Sequence, residues 1–197
     1  PSLNSIYDNR KTVLCGDFFL SSALTQSVLT NDLEIVATIA KLGKNLSEGE
    51  LMQLILADEI IIDEEEYYNL IRKKTASLLS DCMRIGAITV GADKDVVEKF
   101  SQLGELIGIG VQLRDDIFDY FNDNVGKPTG NDIREGKITL PLLHAFKNTT
   151  DKEHQQAMSI VESKDFSDEN VDYLINFAKE NGGIDYTYAA LDNTIEK

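Results

Sequence analysis

Three aspartates close one apolar stretch of this chain. Leu103 to Tyr120 reads LGELIGIGVQLRDDIFDY, with Asp115, Asp116 and Asp119 gathered at its C-terminal end. In a helix, Asp115 and Asp119 lie four residues apart and share a face, and Gln112 and Gly108 continue that stripe toward the N-terminus. The arrangement is unfavourable by itself. Like charges at this spacing repel by roughly a few tenths of a kcal/mol, the negative end of the helix dipole adds to the cost, and a nearby apolar core raises it further unless a cation compensates. Oxygen donors with no His or Cys beside them suit a hard cation, and Mg²⁺ is the natural choice where phosphates complete the shell. The other reading of the same residues is a solvated acidic helix end in a very acidic protein.

The loop that follows, GKPTGNDIREGKITLP, holds Lys127 and Lys137, with Gly126, Gly130 and Gly136 around them. Glycines let backbone N–H groups approach a ligand closely, and lysines act as point charges for phosphate. An acidic triplet followed directly by such a loop makes a better diphosphate site than either part alone. A third element is Lys74-Thr75. Tyr67, Ile71, Leu78 and Cys82 form one apolar stripe on its helix, and Lys74 falls within that stripe while Lys73 points elsewhere. Lys74 then either meets an anionic partner on the buried face or snorkels at the stripe's edge.

The elements that must position these residues are helical. Lys11 to Leu29 carries Val13, Leu14, Phe18, Ala23, Leu24 and Val28 at helical spacing. Asp32 caps a segment running to about Ala57, and Gly43, Asn45, Ser47 and Glu50 leave open whether this is one helix or two. Asp63 to Glu66 forms the acidic first turn of a helix ending near Gly86 or Gly91. Asp93 starts another, running to about Phe121, in which Gly104 and Gly108 allow a neighbouring helix to come close. Asn122 to Gly136 reads as a loop. Short helices are predicted over Thr139–Phe146, Lys152–Val161 and Asp168–Asn181, with Gly182-Gly183 before a last helical segment. No stretch alternates like a strand, so the fold class is all-α, a helical bundle forming a single domain over residues 1–197.

The net charge of −15 argues against a nucleic-acid partner, which needs a basic footprint, and against an anionic membrane surface. No apolar run reads as long enough to span a bilayer. Cys15 and Cys82 sit in helix-like apolar segments and are expected to be buried, reduced thiols of a cytoplasmic protein. Pro1 opens without an initiator methionine and the last helix stops without a cap, so the chain is expected to be a fragment at one end or both.

Taken together, GDFFLSSAL, GELMQL, KTASLL, GVQLRDDIFDY and GKPTGNDIREGKITLPLL resemble the trans-isoprenyl (polyprenyl) diphosphate synthase family, most strongly from Gly16 to Leu142. DDIFD looks like that family's second aspartate-rich motif. The first such motif, with its neighbouring arginines, would lie upstream of Pro1. The family usually carries Phe where this chain has Val111, a change that bears on packing around the substrate.

The resemblance implies the isoprenoid synthase type of bundle and a set of roles. Asp115 would ligate Mg²⁺ on an allylic diphosphate, with Asp116 and Asp119 directly on the metal or one layer behind. Lys74, Lys127 and Lys137 would neutralise the leaving diphosphate. Thr75 and Gln112 would line the site near the ionising carbon, and Asp132 would brace the loop. Glu50, Gln53 and Asp17 match the family too, in a supporting capacity. The implied reaction condenses isopentenyl diphosphate with an allylic diphosphate in a homodimeric enzyme, the fragment alone being inactive. A non-catalytic partner subunit of such a synthase is the competing reading, and a terpene cyclase a weaker third.

Overall fold

The computed structural model describes residues 3–60, 62–121, 129–150 and 152–197. Every regular element among them is a helix. Helix α1 spans Leu3–Ile6, α2 Asn9–Leu29 and α3 Leu33–Glu59; α4, Glu64–Ile71, runs through a π-helical turn, Arg72–Ala76, into α5, Ser77–Thr89. Helix α6 covers Lys94–Phe118, α7 Asn131–Arg134, α8 Leu140–Asn148, α9 Lys152–Ser163, α10 Asp168–Glu180 and α11 Gly183–Ile195. Lys127 lies outside the described residues.

The helices start where short acceptor side chains can satisfy free backbone N–H groups. Asp32 accepts from the N–H groups of Glu34 and Ile35, Asp63 from those of Glu65 and Glu66, and Asp93 from that of Val96. The α3 ambiguity resolves as one helix. Ser47 Oγ donates back to the Gly43 carbonyl at 3.0 Å instead of capping a new start. Gly49 is needed in mid-helix for a different reason: a Cβ there would stand 2.9 Å from the Lys74 backbone nitrogen. The missing side chain lets α3 lie against the π turn.

Helices α5 and α6 make the most extensive helix pair. As their spacing predicts, Gly104 and Gly108 are the contact points. Cβ atoms at these positions would come within 2.5 Å of the Leu79 carbonyl oxygen and 2.4 Å of Ala76 Cα. Two apolar clusters hold the rest. One joins Tyr67, Ile71, Ala76, Ile109, Leu113, Leu140 and Leu143 around the α4–α6–α8 contact. The larger unites α8, α9 and α10 through residues such as Leu142, Phe146, Ile160, Val171, Leu174 and Phe177.

Three expectations need correction. The stripe Tyr67–Ile71–Leu78–Cys82 does not stay on one face: Tyr67 and Ile71 are buried, Leu78 is 46% exposed, and Ala76 takes the next buried place, five residues after Ile71. The π turn inserts the extra residue, and the helix face rotates accordingly. That same rotation leaves Cys82 exposed, while Cys15 is only partly covered, so neither thiol is buried. Finally, Asn9–Leu29 is by length and composition long and apolar enough to cross a membrane, a criterion that core helices of other proteins also meet. It packs mainly against α3, with Val13, Leu14, Phe18, Phe19, Val28 and Leu29 all more than half exposed.

Candidate diphosphate site

The π turn, the end of α3, the last turns of α6 and the segment before α8 enclose a cavity of about 100 Å³. Gln53, Lys74, Thr75, Gln112, Asp116, Asp132, Lys137 and Thr139 give it one polar wall; Leu56, Ala57, Leu70, Ile71 and Leu143 give it an apolar one. Seven of the residues given a site role in the sequence therefore meet in one place.

The Lys74 ammonium does not snorkel. It donates to Gln53 Oε1 and pairs with Glu50 at 3.2 Å, while Lys73 turns the other way to Glu48. The supporting residues Glu50 and Gln53 are thus the anionic and polar partners that a lysine on this face requires. Lys137 donates to Asp132 Oδ1 at 3.0 Å and to Glu135 Oε2 at 2.6 Å. Burial alone would lower its pKa, but the bonds to Glu135 and Asp132 outweigh that and raise it, so the ammonium stays charged.

The three aspartates of DDIFD have three different surroundings, and they do not converge. Among the described residues no three acidic, His or Cys side chains gather closely enough to hold a metal ion by themselves. Asp115 is exposed. Asp116, one residue on and so about 100° round the helix, is turned inward at 1% exposure. Its Oδ2 accepts from the Tyr67 hydroxyl at 2.6 Å and its Oδ1 from Gln112 Nε2 at 2.8 Å. Gln112 accordingly aligns with Asp116, four residues on, and not with the Asp115–Asp119 face. Each carboxylate oxygen thus accepts from a protein donor, the arrangement of a carboxylate one layer behind a metal. Burial pushes the Asp116 carboxyl up to about 7, against the lowering effect of the Tyr67 and Gln112 bonds.

Asp119 serves the chain itself. Its carboxylate accepts from the N–H of Asn131 at 2.9 Å and of Asp132 at 3.0 Å, and its carbonyl accepts from Gly130 N–H at 2.8 Å. Burial raises its pKa, and the Asp132 N–H pulls it back. Gly130, at φ +73°, makes the turn, and a Cβ there would run into Val171. Asp119 thus braces the loop, and Asp132 lines the cavity beside Lys137.

The donor set still fits a hard divalent cation by type. It consists of carboxylates without His or Cys, and the raised carboxyls of Asp116 and Asp119 are what a neighbouring positive charge would relieve. Asp115 and Asp132 would be the carboxylates to hold it, with a ligand's own phosphate oxygens completing the shell. Asp17 is exposed on α2 and does not line the cavity.

Tyr67 was legible in the sequence only as part of an apolar stripe. A buried tyrosine hydroxyl needs a partner, and that rule, set beside the acidic end of a neighbouring helix, was the available signal. Nothing in the residues of KKTA announces a π turn.

The polyprenyl synthetase family model matches residues 1–178. The short chain isoprenyl diphosphate synthase of Methanothermobacter thermautotrophicus is 30% identical over 200 residues, covering 98% of this chain and 61% of the relative. The crystal structure of geranylgeranyl pyrophosphate synthase from Bacteroides thetaiotaomicron superposes with a TM-score of 0.88 at 41% identity, over 96% of this chain and 63% of that one. A polyprenyl synthase from Caulobacter crescentus, complexed with calcium and isoprenyl diphosphate, gives a TM-score of 0.91 at 27% identity, over 98% of this chain and 60% of that one. The chain thus spans about 61% of the length of such a relative. The chain belongs to the polyprenyl synthetase family, with the all-helical isoprenoid synthase fold.

Proposed function

We propose that this chain forms the part of a prenyltransferase site that grips the leaving diphosphate, in the condensation of isopentenyl diphosphate with an allylic diphosphate. The observation that carries this reading is the pair of ammonium groups, Lys74 and Lys137, lining one small cavity opposite an apolar wall. In the reaction, the allylic C–O bond breaks and its electron pair leaves on diphosphate. The alkene of isopentenyl diphosphate attacks the allylic carbon to form the new C–C bond, and a proton is lost to restore a double bond. Lys74 and Lys137 stabilise the charge that develops on the leaving oxygens. They are already paired with Glu50 and Asp132, so a diphosphate exchanges one anionic partner for another. Mg²⁺, when bound through Asp115 and Asp132, supplies further neutralisation of the diphosphate. The apolar side formed by Leu56, Ala57, Leu70 and Ile71 excludes water that would quench the cation.

The second reading, a non-catalytic partner subunit, is favoured by one observation: no three-carboxylate metal cluster forms among the described residues. An assay with labelled isopentenyl diphosphate, an allylic diphosphate and Mg²⁺ separates the two. Residues 1–197 alone are expected to give little product, and robust elongation by them would refute that expectation. Joined to the part of a relative's chain that they do not cover, they are expected to elongate, with Asp115→Ala slowing turnover by orders of magnitude. A joined protein as inactive as the Asp115→Ala variant would favour the partner-subunit reading. The exposed apolar face of α2 suits self-association as a homodimer; Phe18→Glu should then convert a sedimenting dimer to monomer.

A further inference from the structure

The cavity wall contains one unbroken line of side-chain hydrogen bonds. It runs from Tyr67 on α4 to Asp116 and Gln112 on α6, and from there to Thr75 in the π turn. All four residues line the cavity. The line has a direction. In its ionised form, the one that both donors favour, Asp116 only accepts, so it takes the Tyr67 hydroxyl hydrogen on one oxygen and a Gln112 amide hydrogen on the other. That fixes which way round the Gln112 amide sits. Its Oε1 then faces Thr75 and accepts the Thr75 hydroxyl at 2.8 Å. A hydroxyl has one hydrogen; with that hydrogen committed to Gln112, Thr75 Oγ1 has only lone pairs left to present to the cavity.

From this geometry we infer that Tyr67 is a positioning residue: by holding Asp116, it orients Gln112 so that Thr75 offers lone pairs, and not a hydrogen-bond donor, to positive charge developing on the substrate carbon. The inference rests on the diphosphate reading above and adds a residue to it. Tyr67 itself is 4% exposed and hydrogen-bonds through its hydroxyl to Asp116 alone among the described contacts. Removing that hydroxyl leaves a buried carboxylate oxygen without its donor, so Asp116 is free to rotate and the amide to turn over. A donor aimed at a cation repels it where a lone pair attracts it. The effect should therefore depend on the charge of the ligand carbon and not on the diphosphate.

Two probes separate these cases. One is an ammonium analogue of the allylic cation, given together with inorganic diphosphate and Mg²⁺. The other is the thiolo analogue of the allylic diphosphate, which carries no charge at that carbon. Binding is measured calorimetrically on the full 197-residue chain. Tyr67→Phe should weaken the ammonium probe about tenfold, the scale of one charge-linked hydrogen bond, and change the thiolo probe less than about twofold. In a Thr75→Val background, Tyr67→Phe should then change ammonium binding less than about twofold, because the pathway through Thr75 is gone. Should Tyr67→Phe fail to fold, Asp116→Ala carries the same prediction, since it removes the acceptor that holds the Gln112 amide. Equal losses for the two probes, or a full tenfold loss persisting without the Thr75 hydroxyl, would overturn the inference. A wild-type chain that binds neither probe overturns the diphosphate reading itself, and this assignment with it.

Discussion

Helices α2 and α10 are both rich in apolar residues, spread round α2 and gathered on one face of α10, and they have opposite surroundings. In α10, Val171, Leu174, Ile175, Phe177 and Ala178 are all buried, held between α8, α9 and α11. In α2, 21 residues long, Ser27 is the one buried residue, and Phe18 stands 67% exposed. The contrast shows what periodicity conveys. It identifies which residues gain from cover, about 25 cal/mol for each Å² removed from water, but not whether the cover comes from the same chain.

The contrast can be broken most forcefully at Leu174, which is fully buried. Leu174→Ala should cost about 2–5 kcal/mol in urea unfolding, as cavity-forming substitutions do. Phe18→Ser should cost less than about 0.5 kcal/mol and show itself in sedimentation instead. Equal losses at the two positions would mean that α2 is covered as fully as α10. Next in size is a pair of glycines. Gly108→Ala forces a methyl against Ala76 and should destabilise by about 1–3 kcal/mol. Gly16→Ala on α2 meets nothing within 4 Å and should stabilise by up to about 1 kcal/mol through helix propensity.

The smallest expected effect is a pH dependence in the well-packed region. His144 stacks on Tyr186 at 4.1 Å, and burial lowers its pKa below the ordinary 6.5, against the opposing charge of Glu64. A depressed histidine favours the neutral ring in the folded state. Its contribution is therefore present above pH 6.5 and lost as pH falls through the folded value. The melting temperature of wild type should drop more steeply than that of His144→Phe between pH 7 and 5, and parallel curves would contradict this.

Much of the fold was readable in advance because its signals are local. Asp32, Asp63 and Asp93 sit where capping requires short acceptors, and Gly104 and Gly108 mark the α5–α6 crossing. Lys74, Thr75, Gln112, Asp116, Asp132 and Lys137 line one cavity. Two of the misreadings involve rotation about a helix axis. An added residue in the π turn carries Leu78 and Cys82 outward. The 100° step between Asp115 and Asp116 sends one carboxylate to solvent and the other to Tyr67. Whether Asp119 binds a cation or a peptide N–H depends on the path of the loop after it, which one-dimensional spacing does not encode.

The central claim is that the Lys74–Lys137 cavity receives a diphosphate, and it is tested most directly by the crystal structure of this chain grown with Mg²⁺ and inorganic diphosphate. Phosphate oxygens are expected within hydrogen-bonding distance of both ammonium groups, with Lys74 released from Glu50 and Asp116 still held by Tyr67 and Gln112. Diphosphate bound elsewhere, with Lys74 and Lys137 still on their carboxylate partners, would contradict it.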